Sequence, residues 1–252
     1  MSMQVISSGT YQGIGKFNND IINHVGDMCY VMDGASALFD DNIFFETSDL
    51  YEYMRLLRKN IRDNSSIVDN FKNGIENSNN ELTGIEKYNE YELPTYTISA
   101  IKEYDNYFEV YLLCDCLVSI LYKNKTIENI EDNRFDKIKF ECRKEISKID
   151  KLDLDIEEKL KLKRPIWREY RKYANKKNGY PVGSTNKNSI EQGIIKRIKK
   201  ENVDKILICS DGLYSQFGIP NDIKYFTKQH LESLIQNNKN HDDLSYYLIE
   251  NK

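Results

Sequence analysis

Asp33, Asp211 and Asp242 lie far apart in the chain, yet each stands at or beside one end of an apolar run, in VMDGAS, ILICSDGLY and HDDLSYYLI. Glycine follows two of them, in Asp33-Gly34 and Asp211-Gly212, and a residue without a side chain lets the backbone turn tightly and approach a ligand. A second carboxylate, Asp243, follows Asp242. Carboxylates placed alike at strand ends can converge at one rim of a sheet, where their hard oxygens suit Mg2+ or Mn2+. Any one Asp-Gly taken alone reads as a turn signal and no more.

Other spacings carry less chemistry. Cys114 and Cys116, two apart on a strand, face the same side, but no second Cys or His pair stands at a metal-binding spacing, so they read as small buried hydrophobes. GIGK around Lys16 lacks the earlier glycine and the following Ser or Thr of a phosphate-binding loop, since those places hold Thr10 and Phe17. Asp153 and Asp155 in KLDLDIEEK read as a solvated helix start rather than a calcium loop. His24 and His241 are assigned no role.

Strands must carry the aspartates. Gln4–Ser8 and Asp27–Met32 read as short strands, the second running into Asp33-Gly34. A helix begins near Ser48, with Leu50, Tyr53, Met54, Leu57 and Ile61 on one stripe, and another follows over 65–75. From Pro94 the period shortens to that of strands: 95–102, 107–114, 117–122 and 126–130 read as an antiparallel meander. The pattern then predicts a charged helical stretch over 137–177, broken or kinked at Pro165, and a helix over 189–200. A buried strand over 205–210, further helix and a last strand over 244–249 complete the chain. Strands at both ends with helices between them point to one layered domain.

The 252 residues carry 36 Lys and Arg against 40 Asp and Glu, a net charge of −4 that gives no footprint of a nucleic-acid binder. The basic stretch Lys159–Lys177, with Trp167, Tyr170 and Tyr173 among its cations, reads as a helix packing its aromatics inward, and nucleic acid is not expected as a partner. With 40% hydrophobic residues the chain can build a core, and no run approaches the roughly 18–20 apolar residues of a membrane span. No secretory leader is visible, and five cysteines without paired spacing read as free thiols in a reducing cytoplasm.

Taken in order, Gly15-Lys16-Phe17-Asn18-Asn19-Asp20, VMDGAS, LLCDCLVSILY, ILICSDGLY and HDDLSYYLI resemble the metal-dependent protein phosphatases of the 2C type, above all their short, divergent bacterial members. The resemblance runs from about Ser7 to Ile249. It implies an α+β fold, the αββα four-layer sandwich of two antiparallel sheets flanked by helices, as a single domain over residues 1–252. It implies hydrolysis of phosphoserine or phosphothreonine in a phosphorylated protein by a hydroxide bridging two Mn2+ or Mg2+ ions, with room for a third. By this resemblance Asp33 bridges two metals, the Gly34 carbonyl binds one, and Asp211 and Asp242 ligate the other. Asp115 is an outer or third-metal ligand, and Asp20 holds metal-bound water.

The chain also departs from the family pattern. Asn19 stands where the family has a glutamate ligand, the phosphate-gripping Arg falls on Gly15, and no His follows Asp33-Gly34. Lys16 is then the expected phosphate grip, as a point charge without the paired bonds of a guanidinium. A second reading stays open: a catalytically weakened relative that binds a phosphoprotein or partner as a regulatory module.

Overall fold

A computed structural model describes residues 3–35, 38, 42–236 and 242–252; Ser36 of DGAS and His241 lie outside the described residues. The first sheet joins β1 (Met3–Tyr11), β6 (Leu117–Tyr122), β7 (Ile127–Ile130), β10 (Val203–Cys209) and β11 (Leu244–Asn251) in the order β1-β11-β10-β6-β7. The second orders β2 (Ile21–Val25), β3 (Met28–Gly34), β4 (Thr95–Glu103), β5 (Tyr107–Leu113) and β9 (Ile194–Lys199) as β2-β3-β4-β5-β9, with short β8 (Gly183–Ser184) also on β4. All named pairings are antiparallel.

Strand alternation decides what each face meets. In β3, Cys29 and Val31 point into the core between the sheets, while Met28, Tyr30 and Met32 point outward under α1 (Asp49–Asn60) and α2 (Ile67–Asn80). In β10, Ile206 and Ile208 face the inter-sheet core, while Leu207 and Cys209 face α5 (Asp211–Phe217) and α6 (Lys228–Gln236). The result is a helix, sheet, sheet, helix stack with apolar side chains at all three interfaces, the α+β sandwich expected. Ser48 and Ser66 cap α1 and α2 by accepting from Tyr51 N and Asp69 N, which fixes where the 3.6-residue stripe begins. No helix among the described residues is long and apolar enough to cross a membrane.

Four sequence expectations change. The region 189–200 is not a helix: a 3-10 turn over Lys187–Gln192 leads into β9, which pairs with β5 from Leu112↔Ile194 to Tyr107↔Lys199. The meander over 95–130 does not stay in one sheet, because the chain crosses from β5 to β6 and so from one sheet to the other. That crossing turns at Cys114, whose φ of 62° breaks the strand alternation. Hence Cys114 and Cys116 do not share a face: Cys114 packs with Ala174, Tyr180 and Val182, and Cys116 enters the inter-sheet core. Both are buried free thiols.

The stretch 137–177 is two helices, α3 (Asp136–Asp150) and α4 (Ile156–Arg171), and it breaks before Pro165 rather than at it. Asp155 caps α4 by accepting from Glu158 N at 2.8 Å, and Glu158 accepts in return from Asp155 N, so KLDLDIEEK is indeed a helix start. Pro165 lies inside α4.

Candidate active site

The aspartates are brought together by the ends of strands from both sheets. Asp33 and Gly34 close β3, opposite Thr97 and Tyr96 of β4. A Cβ on Gly34 would lie 2.8 Å from the Asn19 carbonyl oxygen, so only glycine lets the loop before β2 lie against this strand end. Asp243 fixes the same loop from the other side, its carboxylate accepting from Gly13 N at 2.8 Å and Asn19 N at 2.7 Å. At the start of α5, a Cβ on Gly212 would come 2.0 Å from the Asp243 carbonyl, which seats Asp211 against the Asp242-Asp243 pair.

Asp20 is buried, and its Oδ2 accepts from Ser210 Oγ at 2.8 Å, while Ser210 Oγ in turn accepts from Ser245 N at 2.9 Å. This chain ties the start of β2 in one sheet to β10 and β11 in the other. Asp115 sits in the turn between β5 and β6, with its carbonyl accepting from the Tyr214 hydroxyl of α5.

One cavity of about 480 Å³ collects Asn19, Asp33, Gly34, Asp115, Asp211, Asp242 and Asp243. The opposite lining comes from α3 and α4: Lys139 and Arg143, Trp167 and Arg171. Lys139 Nζ stands 2.7 Å from Asp115 Oδ2 and 3.3 Å from Asp211 Oδ2. Burial alone would lower the Lys139 pKa, but those carboxylates outweigh it and raise the value, holding the ammonium charged. Desolvation, with lesser help from Asp20, Asp211, Asp115 and Asp242, pushes the Asp33 carboxyl well above its ordinary range. Desolvation also lifts Asp20 to about 7, against the Ser210 bond that lowers it, and raises Asp211, where Asp115 adds and Lys139 subtracts.

Lys16 is not brought to this cavity. Its side chain is exposed, and its ammonium lies 5.1 Å from the Phe17 ring centroid. Asp20 is joined to the site through Ser210 rather than lining the cavity. The sequence reading missed Lys139 and Arg171. A signal existed: Phe135, Ile138, Cys142 and Ile146 form the inward stripe, and Lys139 falls within that arc at i+4 from Phe135. Arg171 likewise follows Trp167 by one turn.

The donor set has the character a divalent ion needs. Its members are hard oxygens that repel one another, and Asn19 Oδ1 and Asp20 Oδ1 are buried without a hydrogen-bond partner. Among the described residues, however, no three acidic, His or Cys side chains stand close enough to share one ion. Lys139 lies between two of the carboxylates that would have to close on it.

At the level of sequence, no known family and no curated protein matches the chain. The backbone matches solved structures over its whole length. A bacterial serine phosphatase superposes with a TM-score of 0.60 at 14% identity, covering 100% of this chain and 98% of that one. The serine/threonine phosphatase Stp1 from Staphylococcus aureus gives 0.59 at 13% identity, covering 100% and 97%. The catalytic domain of the serine/threonine protein phosphatase PstP, solved with two manganese ions, gives 0.56 at 12% identity, covering 98% and 97%. The fold is that of the 2C-type phosphatases. Within this 2C-type fold the carboxylates of Asp33, Asp115, Asp211 and Asp242 stand at the ends of strands that the two sheets bring to a common rim.

Proposed function

We propose that the chain is a divalent-metal-dependent phosphatase of phosphoserine and phosphothreonine in proteins. The observation that carries this reading is the convergence of Asp33, Asp115, Asp211 and Asp242 on one cavity in a chain with the 2C-type fold. PstP, of the same fold, was solved with two manganese ions, which supports Mn2+ or Mg2+ here. Asp33, the Gly34 carbonyl, Asp211 and Asp242 are the donors that would have to draw together around the metal to hold it, with Asn19 and Asp115 beside them. A divalent ion at such a site supplies an activated water and neutralises phosphoryl charge.

The remaining work falls to the chain. Asp243 holds Gly13 and Asn19 in place, so that the Asn19 side chain and the end of β3 keep a fixed separation. Asp20, locked by Ser210, presents one free carboxylate oxygen next to that loop. Arg171 takes the place sequence reasoning gave to Lys16: its half-buried guanidinium lines the cavity, and a planar fork pairs with phosphoryl oxygens. Trp167, Tyr170 and Ile138 offer apolar surface for the flanking peptide.

Phosphate release from p-nitrophenyl phosphate and from a phosphothreonine peptide tests the reading. Activity that requires Mn2+ or Mg2+ and disappears in Asp33→Asn supports it; no release at any metal concentration overturns it. The Lys139 ion pairs and Asn19 favour a second reading in that event, a weakened relative that binds phosphoprotein without hydrolysing it. Retention of an intact phosphopeptide by the purified protein would distinguish that case.

A further inference from the structure

The site contains a cation of its own. Asp115 precedes the start of β6 and Asp211 follows the end of β10. These two strand ends are neighbours because the antiparallel pair sets Leu117 opposite Cys209, so their carboxylates are held side by side by the sheet. Into that gap α3 inserts Lys139, with Nζ at 2.7 Å and 3.3 Å from one oxygen of each. The three side chains are only 19–23% exposed, so water screens the attraction weakly. The helix is positioned for this. Phe135 packs against Tyr180 with centroids 4.3 Å apart and the rings tilted by 35°, and Lys139, one turn later, lies with its ammonium 5.6 Å from the Phe135 ring centroid.

We infer that Lys139 fills the position between Asp115 and Asp211 as a built-in cation, so that a dissolved divalent ion must displace it before it can use both carboxylates. The inference rests on the reading that this cavity takes divalent ions. Each of those oxygens can face an ammonium or a metal, not both at full strength, and the tethered ammonium is always at hand. The cavity then takes its metal from the Asp33 and Asp242 side, and one edge of the site carries a fixed single charge instead of an exchangeable double one. That charge also lies where it can face a phosphoryl oxygen.

Calorimetric titration of MnCl2 into metal-free protein tests this, using the natural chain, Lys139→Met and Lys139→Gln. The glutamine variant keeps a hydrogen-bonding head without the charge, and serves if the methionine variant fails to fold by circular dichroism. Arg143→Gln removes a positive charge from the same lining of the cavity without touching the Asp115–Asp211 pair, and controls for the general field. The expected result is one more Mn2+ per chain in the Lys139 variants, or the same number bound more than threefold tighter, with Arg143→Gln within threefold of the natural chain. Equal number and affinity within threefold in the Lys139 variants, or an equal gain in Arg143→Gln, overturns the inference. Phosphate release measured on the same proteins keeps the two readings apart. A changed metal count or affinity in the Lys139 variants with no hydrolysis overturns the phosphatase alone, and hydrolysis with both count and affinity unchanged overturns the role of Lys139 alone.

Discussion

The α1–α2 pair and the α3–α4 pair are built from helices of similar length, 12 and 14 residues against 15 and 16, yet they meet the sheets in different ways. The first pair sinks Leu50, Tyr53, Met54, Leu57, Ile67, Phe71 and Ile75 into the core beneath β3, β4 and β5. The second fully buries no side chain and leaves Phe140, Ile156 and Leu162 exposed to solvent. Besides the apolar lining of the cavity, α3 and α4 deliver polar groups. Lys139 reaches the carboxylates, Arg168 Nε donates to the Leu38 carbonyl at 2.6 Å, and Tyr170 donates to Glu145 at 2.7 Å between the two helices. One pair makes the sandwich stable; the other equips its rim. Stability and site chemistry are therefore separable by mutation.

The largest effect should come from the first pair. Phe71 is fully buried, packed edge-on against Tyr30 at 5.2 Å and stacked near Tyr111 at 6.2 Å. Phe71→Ala leaves a void at the centre of that layer and should cost about 3–5 kcal/mol in urea unfolding. The protein that remains folded should keep its phosphate release. A loss below about 1 kcal/mol would mean that α2 is not the anchor this contrast makes it.

A smaller effect, of a different kind, is expected from α4. Desolvation lowers the Arg171 pKa from its ordinary value, yet the group stays cationic, with the Tyr180 hydroxyl bonded to it. Losing a charge-assisted bond to phosphate is worth about 1.5–3 kcal/mol, so Arg171→Ala should raise KM for a phosphopeptide roughly ten- to hundredfold. Arg171→Lys should recover part of that, and Lys16→Ala should leave KM unchanged, since Lys16 is exposed outside the cavity. The reverse pattern, with KM raised by Lys16→Ala alone, would return the phosphate grip to the loop before β2.

The same contrast explains what could be read from the sequence. The α1 stripe was legible because its apolar residues repeat at 3.6 while its outer face is charged, and the core strands were legible because β-branched runs end in Asp-Gly. The region 189–200 was misread because Ile190, Ile194 and Ile198 are spaced by four, which suits a helix turn and a strand face equally. The decision lies in tertiary packing: a Cβ on Gly193 would be 2.2 Å from the Tyr111 ring, so the chain runs straight past β5 there. The crossing at Cys114 was hidden because its left-handed φ falls on a residue that gives no glycine signal. In α3, a lysine among many lysines does not announce which one turns inward. The aspartates of the rim were legible by their place in the chain, whereas the cations facing them come from helices whose charge pattern looks solvated.

The smallest expected effect is on the outer face of α3. Phe140 is 66% exposed, so replacing it removes little buried surface, and serine is about as good a helix former as phenylalanine. Phe140→Ser should therefore change stability by less than about 0.5 kcal/mol. It sits next to Lys139 in sequence, but on a helix adjacent residues point about 100° apart, so the ion pairs to Asp115 and Asp211 should survive and metal uptake should be unchanged. Urea unfolding at two protein concentrations, tenfold apart, is the measurement. A loss above about 1 kcal/mol at both concentrations would show that α3 packs this ring within its own chain, which would erase the difference between the two helical pairs. A loss that grows with protein concentration would show that a second copy covers the ring, and the exposed face of α3 would then be an interface rather than solvent-facing surface.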